Sequence, residues 1–99
     1  MKIVNAAIAG TLESSDVQVT VEPSDDGITL DVSSTVLNQY GRQIKAVVLD
    51  TLNALGVKSA KVTVVDKGAL DCTIRARTEC AVYRAAGIAA PIPWGGGKR

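Results

Sequence analysis

Hydrophobic period switches along this chain, and the switches dictate its architecture. In "DVQVTVE" (16–22), Val17, Val19 and Val21 alternate with Gln18, Thr20 and Glu22. In "GITLDVS" (27–33), Ile28, Leu30 and Val32 alternate with polar residues in the same way. Period two places every second side chain on one face, so both segments read as half-buried strands with one wet face. "KIVNAAIAG" (2–10) reads as a first strand of small apolar residues. The polar turn "PSDDG" between the second and third strands predicts a hairpin, with Gly27 free to take positive φ. The "TLESS" segment predicts a shorter hairpin connection between the first two.

After residue 34 the spacing becomes three and four. Leu37, Tyr40, Ile44, Val47, Val48, Leu52 and Leu55 form one stripe, which predicts a helix over 34–55. Ser33 or Ser34 offers an N-cap and Gly56 a stop. Gly41 inside the helix costs about 1 kcal/mol relative to Ala. "KSAKVTVVD" (58–66) returns to period two as a fourth strand, with Ala60, Val62 and Val64 on one face. A second helix is predicted over 69–86, with Ala69, Cys72, Ala76, Cys80 and Tyr83 on its apolar face and Gly87 closing it. "CTIRART" alternates like a strand, but the length of the run and its alanines favour the helix. Asp71–Arg75 and Arg75–Glu79 have i,i+4 spacing. The expected fold is α+β in the order β-β-β-α-β-α: an antiparallel or mixed four-stranded sheet with two helices on one face. Residues 1–90 form a single domain, and 91–99 ("PIPWGGGKR") a flexible tail in which Trp94 caps an apolar edge or docks on a partner.

With 99 residues, 3% aromatics and no Phe, the core has to be built from Val, Ile, Leu and Ala. A net charge of +1 gives no basic field for nucleic acid. No stretch is long and apolar enough to span a membrane, and the apolar run of "MKIVNAAIAG" is too short, and interrupted by Asn5, for a secretory leader. There is no histidine, which removes the usual base for a Ser or Cys nucleophile and the commonest metal ligand. No catalytic or metal-ligating residues are therefore assigned. Cys72 and Cys80, eight apart on a helix, lie about 12 Å apart, beyond the roughly 7 Å that a disulfide allows. They are expected to be reduced, largely buried thiols, which suits the cytoplasm.

The crowding of Glu13, Ser14, Ser15 and Asp16 in "AGTLESSD" (9–16) then needs explaining. The serines and Asp16 could simply bond the turn backbone. A phosphorylation site would set like charges beside Glu13 and Asp16. A covalent attachment point suits an exposed turn, which tolerates bulk that a strand would not.

"AGTLESSD" at 9–16, "DKGALDC" at 66–72, "RAR" at 75–77 and "PIPW" at 91–94, in this order over nearly the whole length, resemble the acyl carrier (gamma) subunits of citrate lyase. The resemblance implies a carrier subunit without catalytic residues of its own. It also implies a covalently bound 2'-(5''-phosphoribosyl)-3'-dephospho-CoA, attached through a phosphodiester to the serine after Glu in "GTLES", here Ser14. Ser15, where the family has a small residue, is the fallback. The thiol of that group would carry acetyl and citryl while citrate is cleaved to acetate and oxaloacetate. The implied partners are the alpha (acyl transferase) and beta (lyase) subunits and the transferase that attaches the group. Glu13 and Asp16 orient the turn, are read by that transferase, or are solvated turn charges. Arg75 and Arg77 meet cofactor phosphates or, as the favoured reading, pair with carboxylates on the helix surface. The rival readings are the carrier of citramalate lyase or malonate decarboxylase, and an unmodified interaction module.

Overall fold

Each period-two segment becomes a strand and each period-3.6 segment a helix. The computed structural model describes residues 2–34 and 37–87, side chains at 37–41 excepted. Its elements are β1 (Ala7–Gly10), β2 (Val17–Glu22), β3 (Ile28–Ser34), α1 (Leu37–Ala54), β4 (Ala60–Asp66) and α2 (Asp71–Ala85). The tail with Trp94 and the residues just before α1 lie outside the described residues. Ser33 and Ser34, expected as caps, are the last two residues of β3.

The four strands form one mixed sheet in the order β1-β2-β4-β3. β1 and β2 form the expected hairpin, with Ala9 opposite Val19. β2 and β3 do not pair. β4 inserts between them, antiparallel to β2 (Val19 opposite Val64) and parallel to β3 (Leu30 opposite Val62). The apolar pattern explains the insertion. Ala60, Val62 and Val64 are fully buried on the inner face of β4, whereas every residue of β3 retains some exposure. The more buried strand takes the centre, and β3 reaches it through the helical crossover that a parallel pair requires. β2 and β3 are then two strand spacings apart, about 10 Å. The turn residues 23–27 bridge this gap, and the Gly27 carbonyl accepts the Ala60 amide at 3.0 Å.

Strand β1 is shorter than expected because the chain before it serves a helix end. The Val4 and Asn5 amides both donate to the Ala85 carbonyl at 2.9 Å, satisfying a terminal carbonyl of α2.

Both helices pack on one sheet face. α1 contributes Ile44, Val48 and Leu52, and α2 contributes Ile74, Ala81, Val82 and Ala85, against Ala9, Val17, Val19, Val21, Val62 and Val64. The core is built from Val, Ile, Leu and Ala, as the composition requires. Two buried threonines, Thr51 and Thr78, return their hydroxyls to the carbonyls of Val47 and Ile74 at 2.7 Å, so neither is left unpaired.

The buried stripe of α2 is rotated from the expected one. Ile74, Thr78, Ala81, Val82 and Ala85 face inward, Ala76 and Tyr83 lie at the margins, and Cys72 is exposed while Cys80 is buried. Ile74, the one β-branched aliphatic residue in the first half of α2, sets the rotation. Turning it inward carries position 72 out to solvent. Both cysteines are free thiols.

Candidate functional site

The first site motif begins with a backbone collision avoided. Gly10 ends β1 at φ +92°, and a Cβ there would sit 1.8 Å from the Val17 carbonyl oxygen and 3.3 Å from Arg77 Cδ. Only glycine lets β1 close onto β2 while the Arg77 stem crosses above it.

Beyond Gly10 the chain makes a braced turn. The Asp16 amide donates to the Glu13 carbonyl at 3.1 Å, which puts Ser14 and Ser15 at the two central positions. Ser15 has φ +66°, and it is the one described non-glycine residue with positive φ. That sign at the second central residue is the requirement of a type II turn. The Ser15 amide donates to the Lys67 carbonyl at 2.8 Å, and the Lys67 amide donates to the Asp16 carbonyl at 2.9 Å. The turn is thus an extension of the β2–β4 ladder.

Asp16 holds this arrangement with its side chain. Its carboxylate accepts the Thr11 hydroxyl at 2.6 Å, the Val17 amide at 2.7 Å, and both Nε (3.1 Å) and Nη2 (3.2 Å) of Arg77. Thr11 Oγ1 in turn accepts the Glu13 amide at 3.2 Å. The Thr11 hydroxyl, the Val17 amide and the Arg77 guanidinium hold the Asp16 carboxyl at about 2, below its ordinary 3.8, against the opposing effect of partial burial. Asp16 therefore orients the turn, and Arg77 is committed to Asp16. Arg75 reaches across to Asp50 of α1 at 3.3 Å instead of to Asp71 or Glu79. Asp71 accepts Gln43 Nε2 at 2.8 Å.

The second motif, at 66–72, is built on a buried carboxylate. Asp66 ends β4 and accepts the Ser34 hydroxyl (2.8 Å), the Gly68 amide (3.1 Å) and the Ala69 amide (3.0 Å). It ties the end of β3 to the loop that leads into α2. Lys67, the next residue, supplies both backbone bonds to the serine turn. Two motifs far apart in sequence therefore form one end of the molecule.

At that end Ser14 is exposed, and none of the bonds that build the turn uses its side chain. A bulky group on its oxygen would project into solvent and displace nothing, so the residues fit a covalently attached arm. Ser15 is exposed as well and its side chain takes no part in those bonds either, but its backbone is pinned to Lys67 at positive φ. Leu12 in the same connection is also solvent-exposed. Among the described residues no group of Cys, Asp and Glu is arranged to hold a metal ion. Beside the turn, α1 and the 67–71 loop enclose a cleft of about 600 Å³ lined by Gln43, Ile44, Asp66, Gly68, Ala69, Leu70, Asp71, Cys72 and Ile74. Gly10, Thr11, Lys67 and the Asp16–Arg77 pair are the site residues that spacing alone does not reveal. Asp16 and Arg77 stand 61 positions apart.

Comparisons with known proteins bear on the family and the fold. An acyl carrier family model described as malonate decarboxylase delta subunit (MdcD) matches residues 4–85. Among curated relatives, the citrate lyase acyl carrier protein of Streptococcus uberis is 57% identical over 88 residues, 89% of this chain and 87% of the relative. That of Streptococcus mutans serotype c is 58% identical, covering 89% of this chain and 87% of the relative. That of Vibrio cholerae serotype O1 is 57% identical, covering 89% and 91%. A chain from the crystal structure of a Pseudomonas malonate decarboxylase hetero-tetramer in complex with malonate shares the fold. The TM-score is 0.70 at 21% identity, covering 82% of this chain and 84% of that one. With more than half of its residues shared along almost the full length of those carriers, the chain belongs to the citrate lyase acyl carrier protein family.

Proposed function

We propose that this chain is the acyl carrier subunit of a citrate lyase and that Ser14 bears its prosthetic group, 2'-(5''-phosphoribosyl)-3'-dephospho-CoA. The observation that carries the assignment is the turn itself. Its Glu13, Ser15 and Asp16 amides and the Asp16 carboxylate are engaged in bracing, while the Ser14 side chain takes no part in that bracing. When attached, the group supplies a thiol on a long arm, where acetyl and citryl are carried.

The chain's own residues position that arm. The Asp16–Arg77 pair and the Lys67 backbone hold the turn on which Ser14 sits, and exposed Glu13 and Leu12 flank it for reading by the attaching transferase. The acid–base chemistry falls to the alpha and beta subunits. The free thiols suit a cytoplasmic protein, and no described helix is long and apolar enough to cross a membrane. The second reading, a malonate decarboxylase carrier, is favoured by the fold likeness to that complex. Sequence identity of 54–58% to citrate lyase carriers weighs more.

Peptide mapping of protein from citrate-grown cells tests the assignment. The adduct should fall on Ser14. Ser14→Ala should leave stability within about 0.5 kcal/mol of wild type yet abolish attachment and citrate cleavage by the reconstituted complex, while Ser15→Ala retains both. An adduct on Ser15 reverses the assignment, and full activity of the Ser14→Ala complex removes it.

A further inference from the structure

The 67–71 loop has a second side. One side braces the serine turn through Lys67, and the other, with α1, walls the cleft. Ser15 N lies 2.8 Å from Lys67 O, and Gly68 and Ala69, the next residues, line the cleft. At 3.8 Å per residue the Ser14 backbone is on the order of 10 Å from the cleft. A pantetheine arm is far longer than that.

The lining chooses among guests. Ile44, Ala69, Leu70 and Ile74 make it apolar. Leu70 is 72% exposed although it immediately precedes α2, where its side chain makes no capping bond. The polar groups present are acidic or already engaged. Asp66 is bonded to Ser34, Gly68 and Ala69, and Asp71 accepts from Gln43. A guest bearing carboxylates would meet Asp71 without a compensating cation among the described lining residues, whereas a small uncharged acyl group would meet methyl and methylene surface.

We propose that this cleft is the resting seat for the thiol end of the arm on Ser14, with acetyl as the acyl load it accepts and citryl as the one it refuses. The inference rests on the Ser14 assignment. Seating keeps the loaded end out of bulk water and off the catalytic subunits until the carrier docks, and refusal leaves the citryl-loaded end free.

Cys72 lines the cleft and is exposed, so its thiol reports on the seat. The test uses the chain carrying the adduct, with Ser14 attachment confirmed by peptide mapping; an adduct found elsewhere overturns both readings. Diamide is added to the unacylated form. The arm thiol and Cys72 each give up a hydrogen to form one S–S bond, and diamide takes up both with their electrons to become the hydrazine. The rate of the intramolecular link is read by intact mass in the natural chain and in Leu70→Asp. The substitution puts a carboxylate into the apolar wall, while Asp at the N-cap favours the helix, and circular dichroism checks that α2 is kept. A seated arm predicts a link at least about five-fold slower in Leu70→Asp. Equal rates, as expected from a tether that wanders freely, overturn the seat. Amide signals of Gln43, Ile44 and Ala69 should be shifted in the acetylated chain relative to the chain without the arm, and unshifted in the citrylated chain. No shift on acetyl loading overturns the seat, and equal shifts with both loads overturn its selectivity.

Discussion

Asp16→Asn should remove a pH-dependent part of the stability while leaving the core intact. The wild-type carboxyl titrates at about 2 in the folded chain, against an ordinary 3.8. At roughly 1.4 kcal/mol per unit, that difference corresponds to about 2 kcal/mol favouring the folded, ionised form. The site is at the surface and Arg77 keeps 42% of its side chain exposed, so solvent screening leaves about 1 kcal/mol. Because the folded value is the lower one, the contribution is complete above about pH 4. It is lost as pH falls towards 2, where the folded carboxyl also takes up its proton. Urea unfolding of both chains between pH 7 and pH 2 measures the gap, and subtracting one curve from the other cancels the remaining carboxylates. The gap should be constant down to about pH 4 and shrink by about 1 kcal/mol below it. Thr11→Ala and Arg77→Gln should each raise the Asp16 pKa, since the Thr11 hydroxyl is the largest single cause and Arg77 acts through both a hydrogen bond and its charge. A gap that does not change with pH would refute the bracing role given to the carboxylate.

Gly10→Ala should cost at least about 3 kcal/mol or prevent folding, because the new methyl meets the Val17 carbonyl at a positive φ; thermal unfolding measures the loss. Ser15→Gly should stabilise by about 1 kcal/mol, since glycine takes φ +66° without strain, with attachment at Ser14 retained by mass. In the folded, unmodified chain a thiol reagent should label Cys72 quickly and Cys80 only after denaturation, and equal labelling would contradict the rotation of α2.

The strands and helices were legible because a period of two or 3.6 is a local property. Val17, Val19 and Val21 declare a buried face without reference to any other residue. Strand order is not local. "PSDDG" has the chemistry of a hairpin turn, and only the competition of β4 with β3 for the central place decides that the turn spans a gap. The face of α2 is not legible in the same way, because its alanines, cysteines and tyrosine differ little in apolarity and the single Ile74 outweighs the apparent stripe. The exposed Ser14 turn was legible from its composition. Its braces were not, because Lys67 and Arg77 reach it only through the tertiary fold.

The position of β4 bears on when the attachment proposed at Ser14 could take place. The serine turn takes its shape from Lys67, which lies just past the last of the described strands, and from Arg77 in the helix that follows. β4 must find both β2 and β3, which makes its insertion a slow, non-local step. A nascent or unfolded chain contains the same "LESSD" letters without the braced turn. A modifying enzyme that reads the turn's shape would therefore leave incomplete chains unmodified, and the proposed attachment would certify a finished fold.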